Sequence, residues 1–192
     1  TRQDIVDIVE RLKKDFPIVI DEAMKVTSYG SLLKVCKDLL HEKIPIIDML
    51  TIIEAVADIA EFTKAPEILL EHVRAKLFRL ITQKFKDTDG ILHIVTIKPE
   101  LEQQFIGKLQ EHHGVSQLMI SIAEINNLVT KTKKLLDDIE AKGFSKITMV
   151  VDPVLRKRIS EIYEKFGLQV SVLSHAELDS KANFAIEGTL EF

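Results

Sequence analysis

Apolar positions recur at helical spacing through the first part of the chain. Ile5, Ile8, Val9 and Leu12 share one face of the segment Thr1 to Asp15, with Asp4, Asp7, Glu10, Arg11 and Lys14 elsewhere, and Thr1 is placed to cap it. Phe16-Pro17 should end that helix, because the residue before a proline is biased away from helical geometry. Ile18 to Val26 then reads as a connector, with a helical turn around Asp21 to Met24. A second helix runs from about Tyr29 to Glu42 and stops near Pro45. Ile46, Met49, Leu50, Ile53, Val56, Ala57 and Ala60 hold the register of a third, with Asp48 near its positive dipole end. Pro66 suits the first position of a fourth helix carrying Leu69, Val73, Leu77, Leu80 and Ile81. With so little loop between them, these segments predict a compact helical unit.

The pattern changes at the turn-forming cluster Asp87-Thr88-Asp89-Gly90. Ile91 to Ile97 reads as a strand, Pro99 to about Gln110 as a helix, and Glu111 to Gln117 as a loop. Ser121 to Lys142 predicts a long helix closed by Gly143. Lys146 to Val151 is a second strand, after which Asp152 caps a helix opened by Pro153. Gln169 to Leu173 and Phe184 to Leu190 complete the strands. The fold class expected is α+β in several subdomains: an N-terminal helix and connector (1–26), a compact helical subdomain (27–88), and an α/β subdomain with a mixed sheet (89–192).

Bulk properties narrow the function classes. The chain has 192 residues, enough for one large domain or two small ones. Its formal net charge of −4 argues against a nucleic-acid partner, which requires a concentrated positive surface. The single cysteine, Cys36, excludes an internal disulfide or a multi-cysteine metal site, and it lies in the apolar stripe Leu32, Leu33, Leu39, Leu40 as a buried thiol would. Reducing, cytosolic surroundings fit. No run of eighteen apolar residues occurs, and the charged opening residues are not a signal peptide. Beginning at Thr1 and opening straight into a helix, the sequence reads as a piece of something longer.

The run Leu39-Leu40-His41-Glu42-Lys43-Ile44-Pro45-Ile46-Ile47-Asp48-Met49, continuing into Thr51-Ile52-Ile53-Glu54, resembles a signature of the FlhA, or FHIPEP, family of flagellar and type III secretion export-gate proteins. Val73-Arg74, Leu77, Arg79 and Ile81 resemble a second family helix, and Val154-Leu155-Arg156, Val172-Leu173-Ser174 and Glu177-Leu178 resemble its last subdomain. The likeness runs over nearly the whole chain. It implies a cytoplasmic docking platform of an inner-membrane protein, with four cytosolic subdomains, that receives flagellar export chaperones with their substrates, meets other export-apparatus components and forms a homo-oligomeric ring. This chain would supply a helix of the first subdomain, then the third and fourth; the membrane region would lie outside it. Thr1 and Arg2 would border the chaperone depression, whose opposite wall would lie upstream, and Arg74 and Arg79 would be candidate contacts between subunits. The third helix departs from the family, which often carries arginines where Ile47 and Leu50 stand here. With its neighbour missing, the face formed by Ile5, Ile8, Val9 and Leu12 should be left exposed.

No catalytic residue, cofactor or metal is expected. His112-His113 lacks a carboxylate or cysteine at ligand spacing and reads as a solvated loop pair. Asp152, at a strand's end before a proline, reads as a helix cap, and Ser174-His175 lacks a nucleophile elbow. Thr130 to Lys134 before Asp137-Asp138 reads as a solvated helix face. Arg74-Lys76-Arg79 and Arg156-Lys157-Arg158 are the notable basic clusters. They support the alternative of a winged-helix-like nucleic-acid-binding regulator, with an α/β hydrolase-like enzyme behind it. Glu71, Glu161 and Glu164 interrupt both neighbourhoods, and aromatics are too sparse for a stacking surface.

Overall fold

Pro17 begins a helix and does not merely end one in the computed structural model, which describes every residue, Thr1–Phe192. Contacts divide the chain into two units, Thr1–Leu77 and Phe78–Phe192.

The first unit holds α1 (Arg2–Asp15), α2 (Pro17–Val26), α3 (Tyr29–His41), α4 (Met49–Ala60) and α5 (Pro66–Lys76). The expected connector is therefore α2, with Pro17 at its first position, where the absent N–H would have had no helical partner. Thr1 and Asp4 form a reciprocal capping box, while Ser28 accepts from Ser31 N and Asp48 from Thr51 N. Ile5 and Val9 are buried, and α1 packs on α2 and α3. The exposed face foreseen for α1 is thus corrected: the chain's own helices cover it, and residues 1–26 belong with the helices that follow. Leu32, Leu39, Ile52, Ile53, Val56, Leu70 and Val73 fill the centre.

The signature run ends α3 in a Schellman motif. Lys43 N–H donates to Leu40 O at 3.0 Å and Ile44 N–H to Leu39 O at 2.8 Å, with Lys43 left-handed at φ 63°. Ile44 is fully buried, the apolar contact that accompanies this motif, and Pro45 blocks any continuation. Asp48 marks the true start of α4, so Ile46 and Ile47 lie before it and Ile47 is exposed.

The helix expected to run from Pro66 through Ile81 is two. It turns at Leu77, and the second piece, α6 (Phe78–Phe85), belongs to the second unit. There Thr82 Oγ1 donates to Glu177 O at 3.2 Å and accepts from Asp179 N at 2.9 Å, tying α6 to a 3-10 turn at His175–Glu177. The unit boundary accordingly falls at Leu77/Phe78, ahead of the 88/89 division.

The second unit continues with β1 (Leu92–Ile97), α7 (Pro99–Ile106), β2 (Leu109–His112), β3 (Val115–Leu118), α8 (Ile122–Glu140), β4 (Ile147–Val151), α9 (Pro153–Lys165), β5 (Ser171–Ser174) and β6 (Phe184–Leu190). Both parallel and antiparallel pairings occur. The parallel ones make a sheet of order β5-β4-β1-β6, and the antiparallel one makes a separate β2–β3 hairpin. Val95, Ile97, Met149, Val151, Val172 and Leu190 join α7, α8 and α9 in one apolar cluster. Their alternates Ile94, Val150 and Leu173 are buried too, as expected of parallel strands covered on both faces. The hairpin replaces the loop foreseen at Glu111 to Gln117. His113 and Gly114, at φ 53° and 78°, form its two-residue turn, and positive φ at both central positions matches the twist of the strands.

Candidate functional site

The apolar faces of α2 and α4 do not close completely. Val19, Ala23 and Val26 on one side and Ala55 and Ala57 on the other floor an open trough of about 560 Å³ within the first unit. Ala23 and Ala55 are buried and seal its base, while Val19, Val26 and Ala57 are half-buried along it. Glu22, Glu54, Asp58 and Glu61 stand along it, and Lys76 is its one cation, 3.9 Å from Asp58. The sequence reading placed Ala57 in the helical stripe but could not see that α2 would lie opposite it.

The anticipated site residues separate. Thr1 spends its hydroxyl on the cap, and its ammonium lies 2.6 Å from Asp4. Arg2 is exposed, with its guanidinium over Gly30 of α3. Arg74, foreseen as a contact between subunits, is buried, with Nη1 2.7 Å from Glu42 Oε2. Arg74 is thus paired inside its own unit, with its side chain almost wholly withdrawn from the surface. Arg79 is exposed and lies over its neighbour Phe78, 5.1 Å from the ring centroid.

The basic clusters do not gather on a surface. Arg156 is buried, its Nε 3.5 Å from Glu177, and Arg158 donates to Ser116 O at 2.7 Å. Arg74 and Lys76 belong to α5 and Arg79 to α6.

Chemistry-bearing residues converge elsewhere. Glu102, Asp152 and His175 bring ligand atoms within 4.8 Å of one another beyond the carboxyl ends of β4 and β5, where α/β sheets take ligands. A divalent cation is the species such a trio could hold. Yet Glu102 Oε2 already accepts from Asp152 N at 3.1 Å, and Asp152 Oδ1 accepts from Val154 N at 3.0 Å as the cap of α9. Both carboxylates are engaged in fixing the β4–α9 junction. Ser174 is buried and shares a capping box with Glu177, while the adjacent His175 is exposed. His112 and His113 shape the hairpin end. Burial raises the Cys36 thiol to about 11, so it is protonated and unreactive at neutral pH.

Residues 1–183 match the FHIPEP family. The chain belongs to that family. It is 39% identical over 191 residues to the flagellar biosynthesis protein FlhA of Helicobacter pylori, covering 99% of this chain and 26% of that protein. To FlhA of Borreliella burgdorferi it is 31% identical over 155 residues, covering 78% of this chain and 21% of the relative. The chain thus spans about a quarter of the length of the curated relatives it matches. Its fold is shared with several solved structures. The Chlamydia pneumoniae CdsV protein superposes with TM-score 0.87 at 19% identity, over 100% of this chain and 55% of that one. Nonameric EPEC SctV-C does so with TM-score 0.85 at 18% identity, over 99% and 57%. A second CdsV structure, solved as a complex with CdsO, gives TM-score 0.84 at 21% identity, over 100% and 56%.

Proposed function

We propose that this chain is part of the cytosolic docking platform of a flagellar protein export gate, engaging export chaperones with their substrates and joining a homo-oligomeric ring. The family match across residues 1–183 is the observation that carries this reading. The fold shared with nonameric SctV-C supports the ring, and that shared with CdsV in its complex with CdsO supports contact with other export components. No helix here is long and apolar enough to cross a membrane.

The chain works by surfaces and not by catalysis. Asp152, Ser174 and Glu102 are engaged in local hydrogen bonds at helix starts, and the trough is open, so no reacting charge in it would be screened from water. The burial of Arg74 and Arg156 takes one arginine out of each basic cluster, which counts against a nucleic-acid regulator.

Co-purification of flagellar export chaperones with a chain extended upstream, together with mass photometry of the same protein, tests this reading. Captured chaperones and ring-sized particles are expected. A monomeric protein that captures none at any concentration overturns it.

A further inference from the structure

We propose that the trough between α2 and α4 receives a basic, amphipathic helical segment of a partner protein. This rests on the docking-platform reading and names the chemistry of one occupant.

Shape is the first argument. Above the buried Ala23 and Ala55, the half-buried Val19, Val26 and Ala57 line an open cleft of about 560 Å³ that can take apolar side chains of a third helix. A helix laid into a hydrophobic groove anchors through side chains spaced three and four apart. Two large apolar side chains near the trough in sequence are also solvent-exposed. Ile18, beside Val19, is 72% exposed, and Phe62, beside Glu61, is 84% exposed.

Charge identifies the partner. Glu22, Glu54, Asp58 and Glu61 line one trough, against the single ammonium of Lys76. Carboxylates gathered round an apolar floor attract a cationic segment and reject an acidic one, which fixes orientation as well as choice. A second copy of this chain, itself carrying a net charge of −4, suits the trough less well than a basic partner.

The test uses the full chain and a fluorescein-labelled eighteen-residue helical peptide of leucine, alanine and lysine, with a counterpart in which glutamate replaces lysine. Anisotropy gives affinity, and amide shifts in two-dimensional NMR give location. The basic peptide should bind, weaken with added salt, and perturb residues 23, 55 and 57. Ala57→Trp fills the trough without changing charge and should weaken binding about tenfold or more. Glu22→Lys/Glu54→Lys/Glu61→Lys, all at exposed positions, should do the same and shift preference to the acidic peptide. Perturbations that map elsewhere, or binding indifferent to both variants, overturn the proposal. So does altered self-association of Ala57→Trp in sedimentation, which would make the trough an interface between copies. If chaperone capture by the extended chain persists without peptide binding, the trough proposal falls and the platform stands. Peptide binding with no chaperone capture and no ring removes the platform alone.

Discussion

His93 Nδ1 lies 2.8 Å from Glu187 Oε1, joining the central strand β1 to the edge strand β6. The other ring nitrogen, Nε2, is 2.9 Å from Asp89 Oδ2 in the turn before β1, and the ring lies tilted at 37° against Phe144, with centroids 4.6 Å apart. With a carboxylate oxygen facing each nitrogen, the ring can donate to both at once only as imidazolium.

A pH dependence follows. Burial pulls the imidazole down, but hydrogen bonds to Glu187 and Asp89, with the charges of both, outweigh it and raise its pKa above the ordinary value. A raised pKa contributes stability fully present below the unfolded value and lost as pH rises through the folded one. Asp89 has the opposite sense. The Ile91 N–H and then His93 lower its pKa, so its contribution is lost only as pH falls through that depressed value. Thermal melts should therefore show a stability component that declines above the ordinary histidine range. His93→Gln should abolish that component and cost about 1–3 kcal/mol at pH 6. An unchanged pH profile in the variant refutes the clasp.

Lys43 occupies the left-handed position that glycine usually takes, as Gly167 does in the same motif after α9. There Gly167 N–H bonds to Glu164 O at 3.0 Å and Leu168 N–H to Tyr163 O at 2.8 Å. Relieving the side-chain penalty, Lys43→Gly should stabilise the chain by roughly 0.5–1 kcal/mol in urea unfolding. Gly167→Lys should cost a similar amount. Destabilisation by Lys43→Gly would show that the lysine side chain contributes more than its backbone strain costs.

Gly188 lets α8 approach β6. A Cβ at this position would lie 2.7 Å from Leu135 Cδ1 and 3.2 Å from Ile139 Cδ1. Gly188→Ala should destabilise by about 1–2 kcal/mol through overpacking. Combined with Leu135→Ala, part of that cost should return, giving a non-additive double-mutant cycle. Strict additivity would place the strain elsewhere.

Arg74 and Arg79 should behave oppositely. Glu42→Leu leaves the buried guanidinium short of a carboxylate and should cost roughly 3 kcal/mol. Arg79→Ala, at an exposed position, should shift stability by less than about 0.5 kcal/mol. Should Arg79 serve a contact between subunits, particle size in mass photometry will change without a change in melting temperature.

Cys36 should resist Ellman's reagent in the native protein and react as one thiol in denaturant, because it is buried and burial holds it protonated. Prompt native reaction would mean that α3 opens locally.

The helices were legible because a 3.6-residue period is written locally. Ile5 and Val9, Leu32 and Leu39, and Ile53 and Val56 are core residues of the helices that their spacing indicated. Ends were harder. Proline both stops one helix and starts the next, so Phe16-Pro17 looked like an exit into loop when it was a corner between α1 and α2. At Leu77 no glycine or proline punctuates the pattern, and α6 separates because Thr82 is bound to residues almost a hundred positions away. The His113-Gly114 turn carried a weak signal, a glycine in a two-residue gap, that charged neighbours obscured.

Of the candidate site, the sequence by itself determined the family signature and what it does physically: Leu39 to Pro45 must end a helix, whatever lies beyond. Opposed partners were decided by tertiary structure alone. α2 and α4 both contribute to the trough, Arg74 turns inward to Glu42, and His93 sits between Asp89 and Glu187. Periodicity records which side of an element is apolar, whereas the identity of the surface packed against it depends on chain closure over tens of residues, which no local pattern encodes.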